Sequence, residues 1–162
     1  MENGKIGFIG IGNMASAIIG GILSTKALSP DQICMYNPHP EKMQHFAEAG
    51  CAPCGSIAAL SEKCSVIFLC IKPQVFPEGL RELKPAVANK KESDVLFVSI
   101  AAGLTFRNLQ DALGSAYGFV RAMPNTPLLL GEGATALCRT ENVSDAAFRQ
   151  IADIFSCCGM VR

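Results

Sequence analysis

Short apolar segments alternate with amphipathic segments along the whole chain. The apolar segments are rich in β-branched and aromatic residues and are nearly continuous in hydrophobicity, which is typical of strands covered on both faces. The predicted strands are residues 5–11, 33–36, 66–71, 95–100, 118–123 and 134–138. Because helical segments separate them, the pattern predicts an α/β fold with a doubly wound, mostly parallel sheet and helices on both faces.

The intervening segments carry the start and stop signals of helices. Ser56, Thr105 and Ser144 are placed to accept hydrogen bonds as N-caps, and glycines follow several of the ends. Pro77 and Pro85 must lie near the ends of their helix or kink it. The predicted helices are residues 13–24, 40–49, 56–63, 74–88, 105–113 and a last one that begins at Ser144 and stops at Gly159.

The first strand leads into the pattern Gly-x-Gly-x-x-Ala at the start of the first helix. Gly10 permits a tight strand-to-helix turn, Gly12 lets the backbone approach a pyrophosphate, and Ala15 keeps the helix close to the strand. The N-terminus of the helix offers unpaired N–H groups and a partial positive charge to phosphates. The segment therefore predicts a Rossmann-like dinucleotide site.

The second strand indicates which dinucleotide is bound. An NAD site usually has an acid at the end of this strand for the ribose hydroxyls, but here Asn37 occupies that position. An amide can donate to a 2′-phosphate, and His39 and Lys42 add positive charge nearby, so the sequence favours NADP over NAD. Asn37 before Pro38 is also a candidate for an Asx turn, and both interpretations can hold.

Three further loops follow strands whose carboxyl ends meet at the edge where open α/β sheets bind ligands. They are residues 70–74, residues 99–103, whose small side chains permit close approach of a flat ring, and residues 121–127, which two prolines stiffen. Each loop also has an ordinary interpretation as a turn, and Lys72 as a solvated charge. Their shared edge with the glycine turn favours a cofactor role.

Composition excludes several classes of protein. The formal net charge is zero, so neither a nucleic-acid surface nor an anionic membrane is indicated as a partner. No apolar run reaches the roughly 18 residues of a membrane helix, and the N-terminus lacks the pattern of a secretory signal. We therefore expect a soluble cytoplasmic protein. The mean hydropathy of +0.29 is high for this length, which suggests apolar surface that covers a partner.

Eight cysteines raise the question of disulfides or zinc. Cys51 and Cys54 have the spacing of a redox or metal motif, but no second such pair or suitable histidine pair completes a zinc site. Cys64, Cys70 and Cys138 lie in or beside apolar stretches, where a thiol acts as a small hydrophobe. The vicinal Cys157-Cys158 pair is expected to pack at a helix end. In a reducing compartment we expect all eight to be free thiols and no bound metal.

The end of the chain has a pattern of its own. Met160-Val161-Arg162 follow Gly159 and have the composition of the first residues of another strand. From this we expect a chain divided at a domain boundary, with residues 1–162 forming one NAD(P)-binding domain.

Taken together, these residues resemble the N-terminal half of the pyrroline-5-carboxylate reductase family over essentially the whole chain. The resemblance is carried by residues 6–15, by Ile71-Lys72-Pro73-Gln74, by residues 99–103 and, most specifically, by residues 121–127. It implies NAD(P)H-dependent reduction of 1-pyrroline-5-carboxylate to proline. It also implies that a helical C-terminal domain, which forms the dimer and supplies most substrate contacts, is absent from these residues.

The resemblance also implies the cofactor-binding residues. The turn matching residues 9–14 holds the pyrophosphate, Asn37 the adenosine ribose or its phosphate, and the other loops the rest of the cofactor. The expected residues are Ile9, Gly10, Ile11, Gly12, Asn13, Met14, Asn37, Cys70, Ile71, Lys72, Pro73, Ile100, Ala101, Ala102 and Asn125. No catalytic side chain is expected here, because the sequence shows no acid–base constellation and hydride chemistry belongs to the cofactor.

Two alternatives remain open. One is another enzyme of similar build, either a β-hydroxyacid dehydrogenase or a reductase that passes hydride between NADP and a deazaflavin. The segments Lys72-Pro73-Gln74 and Met123-Pro124-Asn125 argue against both. The other is a stand-alone NADP-binding module that acts as a sensor or scaffold without turnover.

Overall fold

A computed structural model describes residues 4–162. Within this range a single eight-stranded sheet has the order β3-β2-β1-β4-β5-β6-β7-β8. All neighbouring strands are parallel except β6 and β7, which are antiparallel. The strands are β1 (Lys5–Ile9), β2 (Ile33–Tyr36), β3 (Ala52–Pro53), β4 (Cys64–Leu69), β5 (Leu96–Ser99), β6 (Gly118–Pro124), β7 (Gly133–Arg139) and β8 (Gly159–Val161).

Helices connect the strands, and side chains cap the N-termini of three of these helices, as expected. Ser56, Thr105 and Ser144 each accept a hydrogen bond from the backbone N–H three residues later. The α-helices are α1 (Asn13–Thr25), α2 (Gln44–Glu48), α3 (Ile57–Lys63), α4 (Phe76–Val87), α5 (Phe106–Leu113) and α6 (Asp145–Ser156). Short 3-10 segments lie at Pro30–Gln32, Pro40–Met43, Glu92–Asp94 and Thr126–Leu130.

The sheet separates two apolar layers. Alternate residues of each central strand enter opposite layers, as Phe68 and Ile67 do on β4. One layer packs against α1, α2 and α6, and the other against α3, α4 and α5. Phe8 and Phe68 stack at 4.5 Å between ring centroids at the centre of the first layer. Burial on both faces is the reason why the central strands have no polar alternation, and the doubly wound α/β prediction is confirmed.

The differences from prediction lie at element boundaries. The first strand ends at Ile9 rather than residue 11, because Gly10 turns the backbone to a φ of +92°. The two-residue β3 was missed because Ala52 and Pro53 carry no strand pattern. Residues 40–49 form a 3-10 segment followed by a short helix instead of one helix, and residues 74–75 precede α4 rather than belong to it.

The end of the chain returns to the sheet. The last helix ends at Ser156, not at Gly159, and Gly159 instead begins β8, which pairs in parallel with β7. The strand expected from Met160 onward is therefore confirmed. Among the helices of residues 4–162, none has the length and apolar character needed to cross a membrane.

The stability of the fold should be sensitive to substitution where β8 begins beside β7. At Gly159 φ is +138°, and an added Cβ would lie 2.2 Å from the carbonyl oxygen of Gly133. We expect Gly159→Ala to lower the free energy of unfolding by about 2 kcal/mol or more, measured by denaturant titration. Gly20→Ala is the control, since a Cβ there has no atom within 4 Å in α1 and alanine favours helix. Equal stability of the two variants would contradict this account.

Candidate cofactor site

The candidate residues meet at the carboxyl edge of the sheet, where β1, β2, β4, β5 and β6 end. In an open α/β sheet this edge is the usual ligand site. The strand order places the end of β1 between the ends of β2 and β4. The glycine turn after β1 therefore lies at the centre of the site, with Asn37 on one side and Cys70 on the other.

The glycine turn is tied to both neighbouring strands by backbone hydrogen bonds. The Gly10 N–H donates to the Tyr36 carbonyl at the end of β2 (2.9 Å), and the Cys70 N–H donates to the Ile9 carbonyl (2.9 Å). A Cβ at Gly10 would lie 2.6 Å from the Cys70 carbonyl oxygen. Glycine is therefore required at position 10 both for its positive φ and for the close approach of β4.

The start of α1 is open to a ligand. Gly12 is the N-cap, no side chain caps the helix, and the first turn contains no acidic residue. The leading N–H groups of a helix have no intrahelical partner and attract anions. A Cβ at Gly12 would meet no atom within 4 Å, so the space beside the backbone is clear, while Ala15 is buried against the sheet. These features fit a bound pyrophosphate.

Asn37 has a structural role that the sequence did not predict. Its side chain is 9% exposed. Its Oδ1 accepts a hydrogen bond from the Ile11 N–H (3.0 Å), and its Nδ2 donates to the His39 carbonyl (3.1 Å). The expected Asx turn is wrong, because the amide oxygen binds the glycine turn rather than a backbone N–H two residues later. Asn37 therefore holds the glycine turn against β2, and its contact with a ribose phosphate stays a prediction.

The basic residues after β2 are exposed. The imidazole Nδ1 of His39 lies 3.7 Å from a carboxylate oxygen of Glu41. An exposed pair of this kind contributes little to stability, but the carboxylate offsets part of the charge that His39 would present to a phosphate. Lys42 is exposed on the 3-10 segment that follows.

A groove of about 340 Å³ opens beside the glycine turn, between the end of β2 and α4. Ile9, Gly10 and Ile71 of the expected site line it, together with residues that the motifs did not indicate. These additional residues are Tyr36, Pro38, Ile57, Val75, Glu78, Gly79 and Glu82. Most come from α3, α4 and their approaches, which carry no recognisable motif. The sequence signal that could have indicated them is Gly79, which lies inside the predicted helix 74–88 and where a Cβ would be 2.7 Å from Ile71 Cδ1.

The loops after β4 and β5 line the other side of the turn. Burial raises the pKa of the Cys70 thiol well above its ordinary value, so the thiol is neutral at physiological pH. Ala101 is buried, and its N–H donates to Ser99 Oγ (3.3 Å). Ile100 is half-buried, whereas Ala102, Lys72 and Pro73 are exposed at the edge. These loops offer small or neutral surfaces, and Lys72 is their cationic group.

The loop after β6 is braced by Asn125. The Asn125 Oδ1 accepts from the Ala134 N–H (2.8 Å), and the Asn125 N–H donates to the Ala134 carbonyl (3.2 Å). Asn125 thus closes the turn between β6 and β7, as the ordinary interpretation expected. The residue is exposed, and its role in cofactor binding stays a prediction.

The cysteines form no metal centre in the part of the chain that the structure describes. Within residues 4–162 no group of three His, Cys, Asp or Glu side chains could hold a metal ion. All eight cysteines are free thiols, and Cys51 and Cys54 are buried, which raises the pKa of both. Cys138 is exposed, contrary to the expectation of a packed thiol, because it lies on the uncovered face of β7.

Comparison with known proteins gives the family. Residues 5–103 match the family described as "NADP oxidoreductase coenzyme F420-dependent", and the chain belongs to that family. Pyrroline-5-carboxylate reductase of Escherichia coli (strain K12) is 37% identical over 156 residues, covering 96% of this chain and 56% of the relative. Pyrroline-5-carboxylate reductase 3 of Danio rerio is 31% identical, covering 97% of this chain and 53% of the relative.

Solved structures agree with the sequence comparison. The pyrroline carboxylate reductase of Plasmodium falciparum, determined with NADP bound, superposes with a TM-score of 0.86 at 31% identity and covers 100% of this chain and 58% of that one. The pyrroline-5-carboxylate reductase of Coxiella burnetii gives 0.90 at 31% identity, covering 98% and 57%. The expected resemblance is confirmed. The chain spans just over half the length of the relatives that it matches.

Substitution of the two glycines of the turn should cause different defects, one in dinucleotide binding and one in stability. Gly12 has an extended backbone (φ −95°) that valine can adopt, so Gly12→Val should abolish dinucleotide binding while lowering the free energy of unfolding by only about 1 kcal/mol. Gly10→Ala should instead destabilise the fold by about 2 kcal/mol or more, because of its positive φ and its contact with Cys70. Fluorescence titration and denaturant unfolding measure the two effects. Unchanged affinity in Gly12→Val would refute this location of the pyrophosphate.

Proposed function

We propose that residues 1–162 are the cofactor-binding domain of an enzyme that reduces 1-pyrroline-5-carboxylate to proline by hydride transfer from NADPH. The observation that carries the proposal is the uncapped N-terminus of α1, which lies behind the Gly10 turn with clear space at Gly12. The named activity of the relatives, which match almost the whole of this chain, supports the substrate.

The binding residues would contact different parts of the cofactor. The turn at Ile9, Gly10, Ile11, Gly12, Asn13 and Met14 would hold the pyrophosphate, and Asn37 would position the adenosine ribose. Cys70, Ile71, Lys72, Pro73, Ile100, Ala101, Ala102 and Asn125 would line the remaining length. When bound, NADPH supplies the hydride.

The chain's own contribution is orientation and exclusion of water. Cys70 and Ala101 would present small, neutral surfaces to the nicotinamide end of the cofactor, and Lys72 would be their exposed cationic neighbour. We assign no catalytic side chain to these residues. A cyclic imine that is already protonated accepts hydride without a strong protein acid. The residues that contact the substrate would come from a helical domain outside residues 1–162, and that domain would also form a homo-oligomer.

The deazaflavin alternative takes support from the description of the family match. That match ends at residue 103, whereas the pyrroline-5-carboxylate reductases align over about 156 residues and so extend into the later strands. The loop at residues 121–127, which is the most specific segment, lies in this additional part. This difference favours the imine reductase over a deazaflavin-linked or β-hydroxyacid enzyme.

We also infer a cytoplasmic location and small-molecule partners. Eight free thiols suit a reducing compartment, and a net charge of zero does not suit a nucleic-acid or anionic membrane surface.

Parallel titration with NADPH and NADH tests the cofactor assignment. We expect saturable binding of NADPH by calorimetry, with NADH binding more weakly, and no binding by Gly12→Val. If neither dinucleotide binds to the folded chain, the assignment as a cofactor domain is wrong. If the chain binds NADPH but shows no turnover when it is joined to a helical domain of the family, the result would favour the stand-alone module.

A substitution at Asn37 tests the cofactor preference. Asn37→Asp keeps an acceptor for the Ile11 N–H, but it loses the donor to the His39 carbonyl and adds a negative charge. We expect NADPH to weaken relative to NADH by roughly 1–3 kcal/mol, measured by titration of both. Asn89→Asp, exposed beyond the far end of α4, is the matched control. An unchanged ratio would move the 2′-phosphate to other residues, such as His39 or Lys42.

A further inference from the structure

The groove between β2 and α4 has two carboxylates and no cation. Glu78 and Glu82 lie one helical turn apart on α4, so they share a face, and both line the groove. Among the described residues that line it, none is Lys, Arg or His. The charged character of the groove therefore comes from α4 alone.

The groove lies where one end of a dinucleotide must extend. It begins at Ile9 and Gly10, beside the phosphate site of the proposed function, on which this inference rests, and it runs toward β2 and Pro38. A dinucleotide centred on its pyrophosphate extends one nucleoside to each side of that turn. The loops after β5 and β6 lie on the other side of β1, so the groove receives the adenosine side.

The walls of the groove suit a flat base. The accessible apolar surface comes from Ile71, which is half-buried, and from Val75, which is 48% exposed, whereas Ile9 and Ile57 line the groove but are almost fully buried. The absence of a side chain at Gly79 allows Ile71 to lie against the helix, because a Cβ there would be only 2.7 Å from Ile71 Cδ1. An exposed valine in an apolar groove loses contact with water when a ring packs over it.

We propose that Glu78 and Glu82 determine the base selectivity of this groove by accepting hydrogen bonds from the exocyclic amine of a 6-aminopurine. An ionised carboxylate only accepts hydrogen bonds. Adenine presents an amino donor at C6, whereas a 6-oxopurine presents an acceptor at the same position, which a carboxylate repels. Tyr36 also lines the groove, but a phenol hydroxyl both donates and accepts, so Tyr36 would not discriminate between the two bases.

The test compares NADPH with its 6-oxopurine counterpart, reduced nicotinamide hypoxanthine dinucleotide phosphate. The two differ only at the base, so ribose and phosphate contacts cancel. We expect the wild-type chain to bind NADPH roughly tenfold more tightly by fluorescence titration. The double variant Glu78→Gln, Glu82→Gln should bring the ratio close to one, because an amide can donate to the 6-oxo group. Glu62→Gln on α3, outside the groove lining, should keep the wild-type ratio.

The outcomes separate this inference from the proposed function. Equal binding of both dinucleotides by the wild type overturns the inference and leaves the cofactor domain intact. Discrimination that persists in the double variant shows that other groups recognise the base. If the wild type binds neither dinucleotide, the proposed function fails and the inference fails with it. Circular dichroism of each variant confirms that a change in ratio does not come from unfolding.

Discussion

The turn at Gly10 is the constraint on which the rest of the site depends. Its positive φ lets the chain leave β1 directly beneath the start of α1, and its missing side chain lets the Cys70 carbonyl approach. With any larger residue β4 would have to move away from β1, and the hydrogen bonds that join the two strand ends to the turn would lengthen. The three central strand ends and the first helix are therefore positioned by one backbone conformation.

This arrangement is rigid because the sheet below it is buried on both faces. Phe8 and Phe68 stack in one layer while Ile9 and Ile67 pack in the other, so a strand cannot shift without disturbing both. Asn37 then ties the glycine turn to β2 through the Ile11 N–H. A buried amide with both of its polar atoms paired is a stable connection, so the chain's own contacts hold the glycine turn in place.

The sequence predicted the elements whose signals are local. Strong apolar runs located six strands, and Ser56, Thr105 and Ser144 located helix starts, because a cap depends on the residues immediately around it. The groove was not predictable in the same way. Glu78 and Glu82 belong to no motif, and only tertiary packing places them in the same groove as Pro38. The internal bonds of Asn37 were missed for a similar reason, since its partner Ile11 is 26 residues away.

In the proposed site, different groups would select the ribose phosphate and the base. Under the proposed function, Asn37 at the ribose end is a neutral amide in place of the acid that would exclude a 2′-phosphate, and both of its polar atoms already bond to backbone groups. On that proposal, tolerance of the phosphate follows mainly from the absence of repulsion, with the exposed Lys42 nearby. At the proposed base end the carboxylates are carried by α4. Because the Coulomb interaction between charges falls with distance and is weak in water, while a hydrogen bond requires direct contact, carboxylates on α4 can recognise an amine without strongly opposing a phosphate beside β2.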